Sequence, residues 1–118
     1  LLADDQYLNY IQLIKEVAGT HEVLCAESGD AVKKMLAEHA FDRVIMDGHF
    51  GLDPNEMTGD QIVAWMRKNG HSMPICMFSG SPSMNDRGIR AGATTKVGKY
   101  EVASHPEMLR MFIEGKEE

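Results

Sequence analysis

Five side chains of this 118-residue sequence could do chemistry together if the fold brought them to one place: Asp4, Asp5, Asp47, Ser79 and Lys99. They close, or closely follow, four short apolar runs, "LLADD" (1–5), "RVIMD" (43–47), "ICMFSGS" (75–81) and "AGATTKVGK" (91–99). Three carboxylates a few ångströms apart repel one another, and one of them would be driven to take up a proton. A hard divalent cation removes that conflict, because Mg²⁺, or Mn²⁺ in its place, takes one or two carboxylates and keeps water or phosphate elsewhere. An aspartate flanked by a metal and a lysine can act as a nucleophile toward a phosphoryl group. The cation and Lys99 would neutralise the transferring oxygens, and the Ser79 hydroxyl could donate to one of them. Asp47, alone at the end of its run, is the candidate acceptor.

The elements that must position these residues alternate between two periodicities. Strands are predicted at Leu1–Ala3, His21–Ala26, Asp42–Met46, Pro74–Phe78 and Thr94–Val97. Between them the spacing predicts helices. The first covers Gln6–Ala18, with Tyr7, Tyr10, Ile11, Ile14 and Val17 on one face. The second starts from an N-cap at Ser28 and turns Val32, Met35 and Leu36 inward. The third opens with a Thr58–Gln61 capping box and buries Ile62, Trp65 and Met66. Ser81–Pro82 reads as N-cap and first-turn proline of the fourth, and a Ser104–Glu107 capping box opens the fifth, which runs through Leu109 and Phe112. Five strands alternating with five helices predict an α/β domain with a parallel sheet covered on both faces. The flavodoxin-like doubly wound sheet, strand order 2-1-3-4-5, is the arrangement expected at this length. In such a sheet ligands bind beyond the carboxyl ends of the strands, where the five residues would converge.

Composition narrows the function classes. The hydrophobic fraction is 43% and the charged fraction 25%, with formal net charge -6. That balance argues against direct contact with nucleic acid or anionic membrane, and suits a divalent cation or a basic protein surface. No apolar stretch approaches the ~18 residues of a membrane span. Cys25 and Cys76 sit in separate apolar segments with no C-x-x-C, as expected of reduced thiols in a cytoplasmic protein. Residues 1–118 read as one domain that begins inside a strand, either short of a few N-terminal residues or cut from a longer protein.

The four quoted segments, in this order and spacing, resemble the receiver domain of two-component response regulators, over the whole chain. The resemblance implies that Asp47 accepts a phosphoryl group from a phosphohistidine on a sensor histidine kinase or histidine phosphotransfer protein. It implies that Asp5, Asp47 and the backbone carbonyl of His49 ligate Mg²⁺, with Asp4 acting largely through water. Ser79 and Lys99 would meet the phosphoryl oxygens, and His49, Ser81 and Lys96 would modulate the switch. The output would pass to a downstream protein or a fused output domain. Such a domain catalyses only its own phosphorylation and dephosphorylation and is not otherwise an enzyme.

The sequence also departs from that pattern. The loop "GHFGLDPNEMT" (48–58) is a few residues long for the family. Lys96 stands where an aromatic residue usually swings inward, and Tyr100 replaces the proline after the lysine, where a cis bond would cost about 3 kcal/mol. His49 could order a water at the acceptor, shield it, or point to solvent. Asp53 and Glu56 could add a metal contact or simply be a solvated acidic loop, and His21, His39, His71 and His105 have no ligand spacing. A haloacid-dehalogenase-type phosphatase needs a second aspartate two residues after the nucleophile, where His49 stands. A Walker A loop fails because "GATTKVGKY" has five residues between its glycines and Tyr100 in place of Ser/Thr. The remaining alternative is a receiver-like docking module that works without phosphorylation.

Overall fold

The computed structural model describes residues 1–51 and 53–115. Its most apolar segment, β4 (Ile75–Ser79), is buried at all five positions, which requires cover on both faces of the sheet. The partners are β1 (Leu2–Ala3), β2 (Cys25–Ala26), β3 (Val44–Met46) and β5 (Thr95–Gly98). All pairs are parallel, in the order β2-β1-β3-β4-β5. The expected flavodoxin-like topology is therefore observed, with β2 at one edge.

Helices α1 (Ile11–Ala18), α2 (Gly29–Glu38), α3 (Gly59–Lys68), α4 (Pro82–Ala91) and α5 (Pro106–Ile113) complete the fold. Alternation along the strands splits the core in two. Ala3, Val44, Met46, Ile75 and Met77 meet Val32, Leu36, Ile62, Val63 and Met66. Leu2, Ile45, Cys76, Phe78 and Val97 meet Ile14, Val17, Leu109 and Phe112. Arg67 ties together the two connections that follow α3 and α4. Its Nε donates to the Gly92 carbonyl at 2.9 Å, and its Nη1 to those of His71 and Met73, both at 2.8 Å. Both cysteines are free thiols.

Several boundaries differ from the sequence expectation, each for a local reason. The first helix does not begin at Gln6. Asp4 accepts the Gln6 amide on Oδ1 (2.8 Å) and the Tyr7 amide on its carbonyl (3.3 Å), which tightens Tyr7–Asn9 into a 3₁₀ turn before α1. β2 is shorter than predicted because β1 offers only Leu2 and Ala3 to pair with, and β3 starts at Val44, opposite Ile75, the first residue of β4. The Ser104–Glu107 capping box does not form. Pro106 takes the first helical position, which makes His105 the N-cap, and the Glu107 carboxylate turns to His105 Nδ1 at 3.2 Å. Trp65 is half-buried rather than core, stacked on His71, while Val63 takes the inward place. Ser28, Thr58 and Ser81 do cap their helices.

Candidate functional site

Parallel strands all deliver their carboxyl ends to one rim, and the five predicted residues meet there. Asp4 follows β1, Asp47 follows β3, Ser79 ends β4 and Lys99 follows β5. Asp4, Asp47, Ser79 and Lys99 are buried and Asp5 is half-buried. One carboxylate oxygen from each of Asp4, Asp5 and Asp47 lies within 4.8 Å of the others. Lys99 Nζ reaches into this cluster, 2.8 Å from Asp4 Oδ2 and 3.1 Å from Asp47 Oδ1. Its other neighbours are aromatic, the Tyr10 ring at 4.8 Å and the Phe78 ring at 5.5 Å from their centroids. The two rings pack edge to face at 5.5 Å, so the ammonium is held between two carboxylates and two π faces.

The electrostatics follow from that geometry. Burial pushes the Asp47 carboxyl up to about 7, and the Asp4 charge adds to the push. Lys99 and the Gly48 amide, which donates to Asp47 Oδ1 at 2.7 Å, oppose it. Burial alone would lower Lys99, but its contacts with Asp4 and Asp47 outweigh this and hold its ammonium above the ordinary lysine range. With all three carboxylates ionised, three against one ammonium would leave two negative charges in a corner where Asp4, Asp47 and Lys99 are buried. Asp4 Oδ2 is buried there with the ion pair to Lys99 but no well-aligned hydrogen bond. An all-oxygen donor set two charges short of neutrality fits Mg²⁺ or Mn²⁺.

Close packing fixes Asp47. A methyl group on Gly59, the first residue of α3, would stand 2.0 Å from the Asp47 carbonyl oxygen, so only glycine lets the helix dock there. On Gly48 it would stand 2.9 Å from Ser79 Oγ, which places the hydroxyl against the residue after the acceptor. Ser79 is locked by Asn85, buried in α4. The Asn85 side chain accepts the Ser79 amide at 3.1 Å and donates to the Ser79 carbonyl at 3.0 Å.

The remaining predicted residues take more ordinary places. The His49 side chain is exposed on the rim. Ser81 caps α4, accepting the Met84 amide on Oγ at 3.3 Å, and its own amide donates to Ser79 Oγ at 3.1 Å. Lys96 is exposed and ion-paired with Asp86 of α4. The Lys99–Tyr100 bond is trans, and the exposed Tyr100 ring lies against Gly80. Sequence reasoning missed Asn85, whose signal was a polar residue on the inward stripe of α4. It also missed the aromatic cradle of Lys99, for which the sequence carries no separate signal. Asp53 is exposed and Glu56 is half-buried, with Glu56 Oε1 accepting the Gly29 amide at 2.8 Å.

No family model matches the sequence, and no curated protein is similar to it. Solved structures are. The receiver domain of NtrX from Brucella abortus superposes with a TM-score of 0.79 at 18% identity, over 98% of both chains. A LuxR-family DNA-binding response regulator from Staphylococcus aureus gives 0.77 at 20% identity, over 98% of this chain and 94% of that one. The Francisella response regulator 1452 receiver domain gives 0.76 at 17% identity, with 98% and 94% covered. A longer NtrX chain from Brucella abortus is matched over 27% of its length. The arrangement of strands and helices thus coincides with a known architecture, and this chain has the fold of a response-regulator receiver domain.

Proposed function

We propose that this domain is a phosphoacceptor switch of two-component signalling, with Asp47 as the acceptor. The observation that carries the reading is the buried Asp47 carboxylate, held 3.1 Å from Lys99 and within 4.8 Å of Asp4 and Asp5. In the transfer an Asp47 oxygen bonds to phosphorus as the phosphorus–nitrogen bond of a phosphohistidine breaks, and the imidazole leaves with the electron pair. Asp5, Asp47 and the His49 carbonyl, with Asp4 behind them, would hold Mg²⁺, which when bound supplies positive charge to the transferring oxygens. Lys99 pairs with the same oxygens from the opposite side, and Ser79 donates its hydroxyl to one of them. The added charge then biases a two-state equilibrium that a partner reads.

The donor in this reading is a sensor histidine kinase or a phosphotransfer protein in the cytoplasm, and the recipient is a downstream protein or fused output domain. The domain turns over no separate substrate. No helix among the described residues is long and apolar enough to cross a membrane, in keeping with that setting. Lys96, an exposed lysine engaged with Asp86 where a mobile aromatic is usual, favours a second reading, a docking module independent of phosphorylation.

Intact mass after incubation with Mg²⁺ and acetyl phosphate separates the two. A gain of one phosphoryl group that requires Mg²⁺ and disappears in Asp47→Asn supports the acceptor. No gain under conditions where Mg²⁺ binds, and none from a phosphohistidine donor, favours docking.

A further inference from the structure

The loop between β3 and α3 is anchored at both ends by contacts that reach outside it. Near its start Phe50 is buried in the core beside α2 and α3. The next residue, Gly51, donates its amide to Asp5 Oδ2 at 2.8 Å. Gly51 has φ +78° with open space around a would-be Cβ, so glycine is needed there for backbone conformation and not for room. Toward its end Glu56 Oε1 accepts the amide of Gly29 at 2.8 Å. That amide is the first of α2, one that the N-cap Ser28 leaves to others because its hydroxyl is bonded to Ala31. Between these anchors Asp53 closes a turn, accepting the Asn55 amide on its side chain (2.9 Å) and the Glu56 amide on its carbonyl (3.1 Å).

Asp5 needs such support. It is the most exposed member of the acidic cluster and is repelled by Asp4 and Asp47, so it would swing toward solvent unless something held it. The Gly51 amide supplies a charge-assisted hydrogen bond against that repulsion. Phe50, the residue before Gly51, is buried in the core, and Glu56 fastens the far side of the same connection to α2. Resting on the acceptor reading above, we propose that Glu56 and Gly51 are positioning residues for the divalent-cation site. Through the loop they hold Asp5 at the cluster and couple cation occupancy to the first turn of α2. Linkage makes the coupling reciprocal, so whatever the Glu56–Gly29 contact adds to cation affinity the cation adds to that contact.

The test is a calorimetric Mg²⁺ titration of the parent, Glu56→Ala and Glu56→Gln, with hydrogen–deuterium exchange read with and without Mg²⁺. The expected result is an affinity about fivefold or more weaker in Glu56→Ala. Glu56→Gln, whose amide oxygen can still accept, should recover most of it. Mg²⁺ should slow exchange in the parent at Gly51 and Gly29, and much less so in Glu56→Ala. Parent-like affinity in Glu56→Ala alongside faster exchange at Gly29 would overturn the proposal, leaving Glu56 a helix cap only. Acetyl phosphate uptake measured on the same parent keeps the readings apart. A parent that binds Mg²⁺ but takes up no phosphoryl group overturns the acceptor alone, and a parent that binds no Mg²⁺ overturns both.

Discussion

The Asp47 carboxyl, carried up to about 7 by burial and by Asp4, ties the stability of the metal-free domain to pH. Between its ordinary value near 4 and about 7, the folded chain keeps a proton that the unfolded chain releases. The stability from this group is therefore fully present below about 4 and is lost as pH rises through 7. Urea unfolding in EDTA should show the parent weaker at pH 8 than at pH 5. Asp47→Asn should flatten that slope and be the more stable protein at pH 8, by on the order of 2–3 kcal/mol. A parent slope unchanged by the substitution would refute this account. Asn85→Ala removes both hydrogen bonds to the buried Ser79 backbone, whose carbonyl keeps the Lys99 amide at 3.1 Å while its amide loses the Asn85 acceptor. It should cost about 1–3 kcal/mol, read from the same urea midpoints. The acceptor, the acids, the serine and the lysine were legible because each sits at the end of an apolar run. Asn85 and the Tyr10–Phe78 cradle were not, because their roles exist only once α4 and α1 have been laid on the sheet.

At the scale of elements, α3 begins where the acceptor loop ends, and the contact between them leaves no room for a side chain. Alanine is ordinarily the better helix former by about 1 kcal/mol, yet Gly59→Ala should lower stability. A Cβ 2.0 Å from the Asp47 carbonyl must push either the helix or the acceptor out of place. A loss of about 1–3 kcal/mol by thermal unfolding is the expectation, and a gain would show that α3 docks less tightly than described. Helix existence and most N-caps were readable from spacing, since a cap is a local contract between a side chain and the amides just after it. Where the expectation failed, a stronger local rule won. Pro106 took the first helical position and so moved the cap from Ser104 to His105, and Asp4 closed a turn where the periodicity of residues 6–18 alone implied continuous helix. Glu56 was opaque for the opposite reason, because its partner at Gly29 is 27 positions away.

For the whole molecule, the sheet separates two cores that meet only through its strands. Phe112 of α5 is completely buried in the one shared with α1, with the Arg43 guanidinium 5.3 Å from its ring centroid. Phe112→Ala should cost about 3–5 kcal/mol. If the two cores unfold together, exchange of buried α3 amides will accelerate as much as that of α5; acceleration confined to α5 and α1 would show that the layers can part. The topology was legible from the alternation of periods and the rule for crossovers, which leave few arrangements for five strands and five helices.

Arg67 bears on why so familiar an architecture can stand in a sequence that matches no family model. Its three acceptors are the carbonyls of His71, Met73 and Gly92, atoms every amino acid possesses. Asn85 does the same with the backbone of Ser79, and Glu56 with the amide of Gly29. A tie made to the main chain places no demand on the identity of the residue it grips, so the gripped positions are free to drift without a compensating change elsewhere. Such ties leave no paired signature for sequence comparison to find. The fold itself is shared at a TM-score of 0.79 with 18% identity.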